Sequence, residues 1–401
     1  MTEHRARWVL PISQPPIRDG WVAVEGGRII DVGRLKPAPT DTGPEQIAIL
    51  PGLVNAHTHL ELSYLHDRIP PQLRFGSWVR AVMDARRRYP DPAHPDIVGA
   101  AERAIVDAVA AGTALFGDVS NTLVTVPLLR ARGSAAQVFF ELTGFSEPDP
   151  KARVREARQR AGAAAGGDVR VSVAPHAAYS VSADLFRAIR DDLDRHPSAV
   201  SSVHLGETPE EVELLRHGSG DLKAILQELG RWPDGWRPPG VGPVEYLDGL
   251  GILDPRMLIV HGVQFDRRDL DRLQELRSTI ISCPRSNVYV GVGPPPLEQF
   301  YDSGVEVALG TDSLASVSDL NLFAELAAAR RLAPGLPARR LLECATLSGA
   351  RALGFAADFG SIEPGKRAVL IAVALPDDVD DVEEYLVGGV QPGDVRWLNA
   401  E

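Results

Sequence analysis

Residues 48–57, AILPGLVNAH, form a short apolar run that closes on a histidine, and the same rhythm returns seven times further along the chain. The later runs are TALFGDVS (113–120), AAQVFFELTG (135–144), VRVSVAPH (169–176), AVSSVHLGE (199–207), MLIVHG (257–262), STIISCPRSN (278–287) and VEVALGTD (305–312). Most intervals between them hold helix-like stretches rich in alanine and arginine, such as AAERAIVDAVAA (100–111) and VREARQRAGAAA (154–165). Continuous apolar strands that alternate with helices are the pattern of a parallel sheet covered on both faces. Eight such units predict an α/β fold, a (β/α)8 barrel, over residues 51–356.

The two ends read differently. VAVEGGRIIDVG (22–33) alternates apolar residues around Gly26–Gly27, a hairpin signal, and SIEPGKRAVLIAVAL (361–375) reads as a turn followed by a strand. Residues 1–50 and 357–401 are therefore expected to share one small β-sandwich domain. WPDGWRPPGVGP (232–243) is too rich in proline and glycine for a helix and reads as a long loop near the site rim.

Composition narrows the function classes. A chain of 401 residues with 44% hydrophobic and 24% charged residues is globular, which excludes a disordered chain, a collagen and a coiled coil. The net charge of −12 repels phosphate backbones, so neither nucleic acid nor an anionic membrane is an expected partner. Two cysteines, Cys283 and Cys344, make neither a disulfide framework nor a thiolate zinc site. The N-terminal residues lack the apolar core of a signal peptide, and no run approaches the ~18 apolar residues of a membrane span. A cytoplasmic protein is expected.

The histidines fall at the predicted strand ends. His57 and His59 close the first run, His176 the fourth and His261 the sixth, while His204 lies in the fifth and Asp312 ends the eighth. Residues two apart in a strand face the same side, so His57 and His59 can present two imidazoles to one ion. His204 and Asp312 would add a nitrogen and a carboxylate from other strands. Such donors suit zinc, iron(II) or manganese, and a catalytic ion keeps a position open for water. Glu207, three residues past His204, stands where a carboxylic acid can pass a proton to a substrate. Any one of these residues alone reads as a hydrogen-bonded core or turn residue; their joint placement carries the metal-site reading. His4, His66, His94, His196 and His217 lie in polar or loop contexts and receive no role.

PGLVNAHTHLELS (51–63), APHAAYSVS (174–182), VHLGE (203–207), VHG (260–262), CPRSN (283–287) and LGTDSLAS (309–316) together resemble the amidohydrolase superfamily, in its single-metal deaminase and chlorohydrolase branch. ATLSGARALGF (345–355) with GSIEPGKRA (360–368) is similar to that family's exit from the barrel into its sandwich. The resemblance implies His57, His59, His204 and Asp312 as ligands of one divalent ion, zinc being the first choice. It implies Glu207 as the acid that protonates a heterocyclic nitrogen, His261 as the partner of the nucleophilic hydroxide, Asp312 as base and His176 as a substrate contact. Relatives with two metals carry a carboxylated lysine at the end of strand four, whereas no lysine lies near His176. Glu141 could bridge a second ion or simply pair within the barrel. Val369 stands where the family usually has aspartate, a departure that falls outside the site.

Within the branch, HTHLELS, CPRSN and GTDSLAS look most like the aminodeoxyfutalosine deaminases of the futalosine route to menaquinone. Adenosine, S-adenosylhomocysteine and methylthioadenosine deaminases come next, and guanine deaminases and triazine hydrolases are further away. The implied activity is hydrolytic removal of the 6-amino group of an adenine nucleoside derivative as ammonia, with a homodimer as the default assembly. Five further residues are candidates on the substrate side of the site. Arg285, or alternatively Arg80, would fork onto a carboxylate. Glu61 would bond sugar hydroxyls or cap its loop. Trp78 would stack on the purine or belong to the core, and Ser313 would orient Asp312.

Overall fold

The protein is described by a computed structural model over residues 1–35, 44–71 and 74–398. Its first four strands are β1 (Thr2–Val9), β2 (Ile17–Glu25), β3 (Arg28–Arg34) and β4 (Glu45–Pro51). Four parallel strands follow, β5 (Leu53–Thr58), β6 (Thr113–Ser120), β7 (Ala135–Leu142) and β8 (Val169–Pro175). Four more are β9 (Ser201–Leu205), β10 (Met257–His261), β11 (Thr279–Ser282) and β12 (Glu306–Leu309). The chain ends with β13 (Leu370–Ala374) and β14 (Val395–Leu398).

Each of the eight apolar runs contains one parallel strand, so the α/β reading with parallel sheets holds. The strands lie in two sheets of four, β5-β6-β7-β8 and β12-β11-β10-β9. The sheets meet at both edges through single parallel bridges, Thr58 with Asp312 and Ala177 with His204. One buried apolar cluster draws on both sheets, with Val54, Leu115, Val119 and Phe139 from one and Leu258, Val260, Ile281 and Ala308 from the other.

The chain ends form one mixed sheet of six strands, ordered β14-β13-β4-β1-β2-β3, where the sequence suggests a sandwich. The reason is β4: it accepts β1 in parallel on one edge and β13 antiparallel on the other, so every terminal strand joins a single array. The expected hairpin is β2–β3, turned by Gly26 and Gly27 with φ of 57° and 73°, a region that glycine enters without penalty.

The first apolar run divides at Gly52. Its front half is β4 in the terminal sheet and its back half is β5. A β-carbon at Gly52 would lie 2.5 Å from that of Ala114, so the chain can cross between the sheets only with no side chain there. Residues 232–242 lack helix, as expected, and a helix begins at the last residue of that stretch, Pro243.

Candidate metal centre

The polar side chains converge where the parallel strands end. His57 is fully buried, and neither of its ring nitrogens has a hydrogen-bond partner in the structure. An unpaired buried imidazole is costly unless something else takes its lone pair. His59 follows on the same side, and its Nε2 lies 3.3 Å from Nε2 of His204. His204 donates from Nδ1 to the carbonyl of His176 at 3.0 Å, which leaves Nε2 free to face the other two rings. Donor atoms of His57, His59 and His204 all fall within 4.8 Å of one another. Burial, above all, holds His204 near pKa 4 and His59 well below its ordinary value. Both are therefore neutral imidazoles at pH 7, the protonation state that binds metal. This donor set fits a divalent ion, and the unpartnered nitrogens of His57 are the observation that an ion would explain.

Asp312 completes the group. Its Oδ1 lies 3.8 Å from Nε2 of His57 and 3.7 Å from Nε2 of His59. Its Oδ2 accepts from Ser286 Oγ at 2.6 Å, so one oxygen is held and the other faces the imidazoles. The residue sits at φ 61°, a strained conformation for a side chain of this type. Its amide, which donates to the His57 carbonyl at 3.0 Å, and Thr58 Oγ1, which donates to its carbonyl at 2.9 Å, hold it there.

Glu207 is buried beside this cluster, its Oε1 3.6 Å from Nε2 of His261. Burial first, then Asp312 and Glu211, push its carboxyl well above the ordinary range, which favours the protonated acid. Glu211 accepts from the Glu207 amide at 3.1 Å and steadies this turn. Gly206 makes the turn possible at φ 63°, with Phe265 packed where a side chain would go. A β-carbon there would lie 2.3 Å from the Phe265 ring. Gly206→Ala is therefore expected to destabilise the fold by about 2–4 kcal/mol, from left-handed strain plus overpacking. Denaturant titration reads this, and an unchanged midpoint would refute the packing argument.

These groups open into a cavity of about 670 Å³ lined by His59, His204, Glu207, His261 and Asp312. Of the expected substrate contacts, His176, Trp78 and Ser313 line it too. His176 lies 2.5 Å through Nδ1 from Ser180 Oγ. Glu61 does not line it: its carboxylate accepts from Ser120 Oγ, the Asn121 amide and Thr122 Oγ1, which makes it a cap for the loop after β6. Arg285 is also corrected. Its guanidinium is spent on buried Glu325 at 2.6 Å and on Asp319 at 2.9 Å, away from the cavity. Arg80 is spent on Asp221 and Glu228. Ser286, rather than Ser313, holds Asp312. Glu141 lies 3.5 Å from Nδ1 of His204 and accepts from Asn121, so it backs a candidate ligand.

Sequence reasoning passed over Arg86, Arg153 and Arg231, which do line the cavity, because nothing separates them from the many surface arginines of this chain. It also passed over Ser286 and Asn287, although both stand in the quoted CPRSN.

The profile of the amidohydrolase family matches residues 48–395, and the chain belongs to this family, a class of hydrolases that act on carbon–nitrogen bonds. The 5-methylthioadenosine/S-adenosylhomocysteine deaminase of Moorella thermoacetica is 28% identical over 433 aligned positions, covering 98% of this chain and 95% of the relative. The aminodeoxyfutalosine deaminase of Deinococcus radiodurans is 31% identical over 322 positions, covering 76% and 73%. A solved adenosine deaminase of Xanthomonas campestris with bound zinc superposes with a TM-score of 0.81 at 27% identity, over 98% of this chain and 90% of that one. Among the described residues, no helix is long and apolar enough to cross a membrane.

Proposed function

We propose that this amidohydrolase is a hydrolytic deaminase that converts the 6-amino group of an adenine nucleoside derivative to a carbonyl and releases ammonia. The carrying observation is a buried Glu207, its carboxyl held well above the ordinary range, beside three convergent imidazoles, with both ring nitrogens of His57 lacking any other partner. In this reading His57, His59, His204 and Asp312 hold one divalent ion, with zinc the first choice. The ion, when bound, lowers the pKa of water so that a nucleophile forms at neutral pH. Glu207 donates its proton to a ring nitrogen of the purine, which draws electron density from C6. Water adds at C6 and one of its protons passes to Asp312, which hands it on to the amino group; the C6–N bond then breaks to release ammonia, while the second water proton returns to Glu207 and C6 becomes a carbonyl. We further read the two four-stranded sheets as halves of one closed (β/α)8 barrel over 51–356, with residues 1–50 and 357–401 as a separate domain.

The finer assignment concerns the far end of the substrate. Arg153 and Arg231 line the cavity, and neither guanidinium has a partner among the described residues. Two unspent cations favour a substrate with a carboxylate on its 5′ side, aminodeoxyfutalosine first and S-adenosylhomocysteine second, over neutral adenosine. Ammonia release from these three, with methylthioadenosine and guanine, tests the reading. Arg153→Met should lower kcat/KM on the carboxylate-bearing substrate by about 10–100-fold, the worth of a charged hydrogen bond. Adenosine turnover should hold. An equal loss on both substrates would remove the carboxylate anchor, and no ammonia from any purine would remove the deaminase.

A further inference from the structure

CPRSN (283–287) sits between Asp312 and His261 and contributes a side chain to each. Ser286 holds Asp312, as described above. Asn287 is fully buried, and its Nδ2 lies 3.0 Å from Nδ1 of His261. The amide nitrogen can only donate, so Nδ1 must be the acceptor. Two N–H groups facing each other at this distance would repel. The reverse amide orientation would leave an NH2 group, with two protons, buried without an acceptor; in the present one only the carbonyl Oδ1 lacks a partner.

The geometry points to Asn287 as the residue that fixes the tautomer of His261, placing its ring proton on Nε2. That nitrogen faces the cavity, 3.6 Å from Oε1 of Glu207. His261 is itself backbone-strained, at φ 80°, and fully buried, so its ring has one orientation to offer. A neutral imidazole with the proton on Nε2 donates a hydrogen bond to whatever stands in front of it. It cannot remove a proton from the attacking water, because its only lone pair is occupied by Asn287. His261 is thus a hydrogen-bond donor that orients the water's oxygen, and the water's proton has Asp312 as its acceptor. Asn287 touches neither substrate nor reacting atoms and acts through His261, as a positioning residue.

The catalytic half of this inference rests on the deaminase reading; the tautomer half does not. Zinc-loaded protein labelled with 15N in its histidine rings separates them, with His261→Gln used to assign the signal. The expected spectrum shows His261 neutral with the proton on Nε2. Asn287→Asp offers an acceptor instead of a donor and should move the proton to Nδ1. Zinc content should be unchanged and kcat should fall about 10²-fold, the scale on which a misplaced proton handler acts. A proton on Nδ1 in the wild-type protein would overturn the assignment outright, even if the variant failed to fold. So would Asn287→Asp that keeps the proton on Nε2. Reversal of the tautomer with kcat unchanged would overturn the positioning role. Failure of the deaminase reading shows separately, as absence of ammonia from wild-type protein whose His261 still carries its proton on Nε2.

Discussion

Glu207→Gln should keep the fold and the full metal content while turnover falls by about 10²–10⁴-fold, the usual contribution of a positioned general acid. The amide matches the acid in shape and can still donate a hydrogen bond, but it has no proton to give away. The expectation rests on environment. Burial, Asp312 and Glu211 keep the carboxyl protonated well above the range where an exposed glutamate ionises. The protonated form is the active one, so the wild-type rate should decline as pH rises through that elevated value. The variant should lose this alkaline limb. Near-wild-type turnover, or an unchanged pH profile, would mean that another group delivers the proton.

His57→Ala is the second large effect. It removes the imidazole whose two nitrogens are buried without a hydrogen-bond partner. Bound metal, about one ion per chain in the wild type by our reading, should drop well below stoichiometry. Turnover should fall with it by at least about 10²-fold, since a catalytic ion contributes several kcal/mol to the transition state. The thermal midpoint of the wild-type protein should fall toward that of the variant when the ion is chelated, because a ligand bound only to the folded state stabilises it by mass action. Full metal occupancy in the variant would take His57 out of the ligand set.

The sequence made the strands and the imidazole cluster legible for the same reason. A buried parallel strand is apolar along its whole length, so a histidine or aspartate at its end stands out. The runs at 113–120 and 257–262 match β6 and β10 almost residue for residue. The run at 48–57 concealed a boundary, because two buried strands in succession read as one and only Gly52 separates them. Arginines were the least legible. Arg285 and Arg153 look alike in the chain, and what distinguishes them is whether a carboxylate lies in reach after folding. Glu325 and Asp319 neutralise the first, and among the described residues no hydrogen bond or ion pair holds the guanidinium of the second. That information resides in long-range contacts, as does the pairing of Asn287 with His261 across two strand ends.

The placement of β4 between β1 and β13 has a consequence for how the chain is made. On the ribosome β1 and β4 emerge early, but the edge of β4 that receives β13 must wait for roughly 300 further residues. At about 5–20 residues per second the delay is roughly 15–60 s. Throughout that interval an apolar strand, QIAIL at 46–50, offers an open row of amides and carbonyls to any nascent neighbour. Synthesis at high expression should therefore favour inclusion bodies seeded by the N-terminal segment, and a truncation that ends before Leu370 should aggregate where the full chain stays dispersed.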